Sequence, residues 1–220
     1  MKKLILGIAI LAIAVMSQAQ RGGGFMRNQG GPVGYISRED VQKELVLTDE
    51  QKEKITAITD PQQMGPKFQK AMEDAGLTRE DFGTADGQKK MPAIFAKIQA
   101  EIKKEIEVVL TPTQITRWNE VSIQLAGNLA AVQPEVGKLL VLTDDQSKLI
   151  AELQKKQMDA TRGLGQQMRD GSLTFEEFQT KQKKNTEIMD SEVAKILTDA
   201  QKAKLKELGG KKFERKDEIN

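Results

Sequence analysis

Apolar residues recur along this chain at the spacing of helices. Ile94, Ile98, Ile102 and Ile106 fall at every fourth position, with Phe95, Val109 and Leu110 beside them and Lys, Glu and Gln between. That is the buried face of an amphipathic helix, and Pro92 suits the N1 position that would open it. A second helix is expected from Pro112 to about Val132. Leu149, Leu153, Ala160 and Leu164 mark the stripe of a long helix ending near Gly171. Gly163 and Gly165 should weaken it, each by about 1 kcal/mol against alanine. Phe178, Ile188, Met189, Val193 and Ile196 are the apolar members of another, from Phe175 to about Leu197. No run alternates apolar residues with polar β-formers. The pattern predicts an all-α protein of helical hairpins.

One word punctuates these helices. Leu-Thr-x-x-Gln occurs at Leu47, Thr48 and Gln51; at Leu110, Thr111 and Gln114; at Leu142, Thr143 and Gln146; and at Leu197, Thr198 and Gln201. Each is a capping box: the Thr hydroxyl accepts from the N3 amide, and the N3 Gln side chain reaches back to the Thr amide. Asp49, Asp144 and Asp199 add negative charge where the helix dipole favours it, and Pro112 takes that N1 position in the remaining copy. The preceding Leu is placed to staple the first turn, most clearly Leu110 on Ile115. Thr174–Glu177 obeys the same grammar and Thr78–Asp81 does so more loosely, with Leu173–Phe178 and Leu77–Phe82 as staples. Each cap contributes about 1 kcal/mol. These motif residues are therefore read as structural.

The word also repeats in order. "VQKELVLTDEQ" (41–51) matches "VGKLLVLTDDQ" (136–146) at eight of eleven positions, offset by 95. "LTREDF" (77–82) answers "LTFEEF" (173–178), and "LTPTQ" (110–114) answers "LTDAQ" (197–201). Three ordered markers indicate an internal duplication. Residues 37–133 are read as the first repeat and 134–208 as the second. A Gly-rich flexible leader (20–36) precedes them, and a charged disordered tail (209–220) follows.

The first 19 residues carry Lys2 and Lys3, an apolar run from Leu4 to Met16, and small residues around Ala19. They are read as a signal peptide cleaved after Ala19, which places the mature chain in a periplasm or outside the cell. The apolar run is shorter than the roughly 20 residues that span a bilayer, so no membrane span is expected in the mature chain. Cys and His are both absent. That excludes thiolate or imidazole zinc sites, Cys–His nucleophile pairs and disulfide staples. The chain has 34 basic and 32 acidic residues, and loss of Lys2 and Lys3 leaves it formally neutral. Interspersed charges of this kind give no nucleic-acid footprint.

Neither a catalytic residue nor a cofactor is expected. The acids lie on polar helix faces beside lysines, as in "KIQAEIKKEIE" (97–107), which reads as a solvated surface. "RDGSLTFEEF" (169–178) matches an EF-hand loop at positions 5 through 9 and 12, but Gln166 and Met168 stand where its first two carboxylates belong. Calcium affinity depends on those ligands, so a degenerate calcium site is the weaker alternative.

Paired Leu-Thr-x-x-Gln words in an exported, Cys-free helical chain resemble the Spy/CpxP-like family of periplasmic proteins. The resemblance covers most of residues 37–208, apparently as two family units in tandem. Residues 117–146 are also similar to duplicated secreted proteins of planctomycete-type bacteria. The Spy/CpxP resemblance implies long helical hairpins forming a cradle. It implies an ATP-independent chaperone or stress adaptor whose partners are unfolded or envelope proteins. It implies, too, either a homo-oligomer or a covalent pseudo-dimer of the two halves. Met64, Met72, Met91, Met158, Met168 and Met189 would suit varied apolar clients, though the simpler reading of any one of them is as a filler of core gaps. A structural, envelope-associated helical protein without clients is the alternative from another class.

Overall fold

The computed structural model describes residues 31–78 and 80–214, of which 82, 83 and 85 by backbone alone. The segment read as a signal peptide, most of the leader and the last residues of the tail lie outside the described residues. The protein is all-α, with no strand among the described residues. Its helices are α1 (Pro32–Tyr35), α2 (Glu39–Glu44), α3 (Asp49–Ile58), α4 (Pro61–Asp74), α5 (Ala85–Val109), α6 (Pro112–Ala126), α7 (Pro134–Leu139), α8 (Asp144–Arg169), α9 (Phe175–Ile196) and α10 (Asp199–Leu208). Short 3-10 turns occupy Glu80–Gly83 and Gly127–Val132.

The chain forms two compact units, and it passes from one to the other within α6, between Trp118 and Asn119. In the first, α5 packs against both α3 and α4, with α1 also against it. Ile94, Ile98, Ile102 and Ile106 are all buried, as their spacing demands. In the second, α8 and α9 form a continuous hairpin, and the 3-10 turn at Gly127–Val132 packs against α7, α9 and α10. Element bounds and buried positions correspond at the sequence offset. Asp49 and Asp74 bound the α3–α4 arm, and Asp144 and Arg169, 95 residues on, bound α8. The first arm is broken by Asp60, whose carboxylate accepts from Gln62 N at 2.9 Å and caps a new helix at Pro61. Val41 and Val136, Leu45 and Leu140, Ile55 and Ile150, Ile106 and Val193, and Leu110 and Leu197 are buried in equivalent places.

Several boundaries differ from expectation. Helix α5 starts at Ala85, not Pro92, because Thr84 supplies the cap: its hydroxyl accepts from Gly87 N at 3.1 Å. Pro92 then sits inside the helix at the cost of one backbone bond. Helix α6 stops at Ala126 instead of Val132, since Gly127 turns the chain with φ +60°. Helix α8 runs through Gly163 and Gly165 unbroken, and Leu153 and Leu164 face inward as expected, but the other two members of the stripe do not. Leu149 and Ala160 are exposed, and the inward positions are Ile150, Leu153, Gln157, Thr161 and Leu164. Opposite them α9 offers Phe178, Gln182, Asn185, Met189 and Val193, while Ile188 faces solvent. This seam is apolar at both ends and polar in the middle. Leu164, Leu173 and Phe178 form a cluster at the tip, so the Leu173–Phe178 staple is made. The Leu77–Phe82 staple lies outside the described side chains.

The repeat limits shift as well. The end of the segment read as leader is folded: Ile36 is fully buried, and Trp118 Nε1 donates to Pro32 O at 3.0 Å. By the same offset, Gly127–Val132 is the second unit's entry and not the close of the first. The described start of the tail is docked, not frayed. Gln124 donates to the carbonyls of Gly209 and Lys211, its Oε1 accepts from Phe213 N at 2.8 Å, and the Phe213 side chain is buried. Gly210 permits this approach: with φ +61°, any Cβ there would strike the Glu120 carboxylate at 2.3 Å.

Candidate functional site: paired glutamine clasps

Each Leu-Thr-x-x-Gln word begins a helix in the way its letters dictate. The hydroxyls of Thr48, Thr143 and Thr198 accept from the amides of Gln51, Gln146 and Gln201, each at 3.2 Å, and Thr111 from Gln114 at 3.3 Å. The four glutamine Oε1 atoms accept in return from the Thr amides at 2.9–3.1 Å. Leu47, Leu110 and Leu197 are buried behind these caps, and Leu142 is half-buried.

The words also meet in pairs. Gln51 Nε2 donates to Gln114 Oε1 at 2.8 Å, and Gln114 Nε2 returns a bond to Gln51 Oε1 at 3.1 Å. The remaining amide protons go to backbone: Gln51 to Val109 O at 2.9 Å and Gln114 to Leu45 O at 3.1 Å. In the second unit Gln146 and Gln201 exchange the same two bonds at 2.8 and 2.9 Å. Their other protons reach Ile196 O at 2.8 Å and Leu140 O at 3.3 Å. Each amide thus uses both donors and both acceptor sites. The Thr N–H fixes which amide atom is oxygen, and the other must then donate. Each clasp locks two helix starts together with no polar group left over.

At one flank of each clasp the backbone is strained. Val46 and Val141 both have φ 50°, the only positive-φ residues besides glycine among those described. Both occupy the left-handed position ending a short helix, where the following Leu47 and Leu142 amides reach back to Gln42 O and Gly137 O. Glycine is the usual residue there, and a β-branched one is a genuine outlier. Both valines are nonetheless about four-fifths exposed, at 80% and 79%. The turn they make presents the Leu45 and Leu140 carbonyls to the partner glutamines.

The acids do local work. Arg38 beside Asp40 holds its carboxyl below the usual range, through side-chain bonds at 2.7 and 3.0 Å. Hydrogen bonds from the Thr78 and Thr174 amides lower Asp81 and Glu177, and the Ser172 hydroxyl lowers Asp170. Asp170 and Glu177, the acids at positions 5 and 12 of the EF-hand-like stretch, are therefore committed to Ser172 and Thr174. Among the described residues no group of three or more acidic side chains converges as a metal set. Nor is any helix there long and apolar enough to cross a membrane.

Comparison with known proteins gives no relative to lean on. No family model matches the chain, and no match was found among curated proteins or solved structures.

Proposed function

We propose that this chain is an exported, periplasmic helical binding protein of the Spy/CpxP-like kind, acting as an ATP-independent chaperone or stress adaptor. The observation that supports this reading best is the set of large apolar side chains held in water. Val46 and Val141 stand at matching corners of the two repeats, and Leu149, Phe175 and Ile188 are exposed on the α8–α9 hairpin. A protein with a neutral, interspersed surface has no need of them for its own core, and such groups suit apolar segments of unfolded clients. The clasps, whose polar groups satisfy one another, serve as the scaffold in this reading and not as the contact surface. Two family-like units in one chain would act as a pseudo-dimer, for which light scattering should return a monomer mass.

The test is suppression of aggregation of a denatured client by the purified protein. Protection at equimolar ratio, lost in Val46→Asp/Val141→Asp with helical circular dichroism unchanged, supports the proposal. Absence of protection overturns it in favour of a structural, envelope-associated role.

A further inference from the structure

The two repeats are built alike at their entry corners, and one difference between them leaves a groove. In the first unit Gln42 of α2 turns back and donates from Nε2 to Ile36 O at 3.1 Å. At the offset of 95 residues, Gln42 corresponds to Gly137 of α7, and Ile36 to Ala131. Gly137 has no side chain to make that bond. The Ala131 carbonyl accepts no hydrogen bond from any described residue, although Ala131 is only 3% exposed. This residue lines an open groove, where water or a ligand can donate to the carbonyl.

The groove has a volume of about 450 Å³ and is open to solvent; Ala131 and Gly137 line it beside Leu142, Ile150 and the exposed Lys138, Ser147 and Gln154. That volume is within the range of small-ligand sites. We infer that the groove binds a primary carboxamide on a short aliphatic stem, the group that the first unit supplies from its own chain. The amide nitrogen donates to Ala131 O as Gln42 does to Ile36 O. The methylenes lie against Leu142 and Ile150, and the amide oxygen finds donors in the Ser147 hydroxyl and the Gln154 side chain. A carboxylate of the same shape brings an acceptor to the Ala131 carbonyl, while Lys138 in the same wall would attract it, so butyrate is the control that separates the two. The inference is independent of the chaperone reading, because it rests on the difference between the repeats alone.

Two sources carry this group: a glutamine side chain of an extended peptide, or a free small amide. The ¹⁵N-labelled protein is titrated with butyramide, with butyrate, and with capped pentapeptides containing a central Gln or Glu, while amide shifts are followed by NMR. Butyramide should shift resonances of residues 131–154 saturably, with butyrate at least fivefold weaker. The Gln peptide binding more tightly than butyramide supports a peptide occupant, and equal affinity supports a free amide. Gly137→Gln should fill the site as Gln42 does and abolish the shifts. A Cβ there meets Leu142 Cδ1 at 3.3 Å and Ala131 O at 3.4 Å, contacts that a small adjustment relieves. The wild-type titration decides even if that variant does not fold. No saturable shift with either amide probe, equal binding of butyrate, or undiminished binding by folded Gly137→Gln would overturn the inference.

Discussion

Gln51→Glu separates a clasp from a simple cap. At N3 of an ordinary capping box Gln and Glu are interchangeable, so a cap alone predicts a change of a few tenths of a kcal/mol. In the clasp, Gln51 Nε2 makes two donor bonds, to Val109 O at 2.9 Å and Gln114 Oε1 at 2.8 Å. A carboxylate cannot donate either. Two net contributions of about 1 kcal/mol each are lost, and leaving a half-buried acceptor facing another acceptor adds about 1 kcal/mol or more. The expected cost is about 3 kcal/mol at pH 7. With a urea slope of about 2 kcal/mol/M, that moves the midpoint down by about 1.5 M. Trp118 is the only tryptophan and is fully buried in the first unit, so its fluorescence reports the affected unit directly. The penalty should also depend on pH. The oxygen that replaces Nε2 faces Val109 O and Gln114 Oε1, and these two acceptors push the introduced carboxyl up in the folded state. Protonated, the introduced carboxyl has one O–H where Gln51 had two N–H donors, so the penalty is smaller but not absent below the unfolded value of about 4.3; it grows from there and is complete once pH passes the folded value. A variant within 0.5 kcal/mol of wild type at pH 7, or a deficit that ignores pH, would refute the clasp.

Val46→Gly and Val141→Gly should each stabilise the protein by about 1 kcal/mol in thermal or urea unfolding. They relieve a left-handed conformation costing about 1–2 kcal/mol and lose little burial, whereas destabilisation would show that the valines are held there by packing. Phe213→Ala should cost about 3 kcal/mol of second-unit stability by circular dichroism, and a silent substitution would mean the docked segment adds nothing. Glu177, lowered by the Thr174 amide, stabilises its helix start above its unfolded value. That contribution is lost as pH falls through the folded value. The Thr174 amide resonance should report a carboxyl titrating below 4.3, and an unshifted midpoint would contradict the bond.

The helix starts could be read from sequence because capping is local: Thr48 and Gln51 lie within one turn of each other. The duplication was legible for a related reason, since it needs only that words recur in order. The clasps depend on contacts between glutamines 63 and 55 residues apart, which no local rule reaches. A signal was nevertheless present. Thr78 and Thr174 begin their turns with acids, Asp81 and Glu177, while all four clasp positions carry Gln. An acid would cap equally well, so the restriction to glutamine marks a need for the donor. The left-handed valines were hidden because nothing in Leu-Val-Leu distinguishes a strained corner from a continuing helix. Two of the four expected members of the α8 stripe, Leu149 and Ala160, stand one position away from the inward Ile150 and Thr161, the latter polar by type.

Inward polar residues divide the second hairpin into parts of unequal durability. Gln157, Thr161, Gln182 and Asn185 interrupt the contact between the tip cluster of Leu164, Leu173 and Phe178 and the larger cluster containing Val193 and Leu197. With so little apolar area across the interruption, the tip gains little from the order of the base and opens as its own cooperative segment. Its backbone amides should exchange with solvent deuterium well before those near Val193. In the first unit the unbroken isoleucine face of α5 should keep exchange slow along the whole helix. Two arms that begin with the same word should thus differ in durability: one stays closed along its length, and the other opens first at its end.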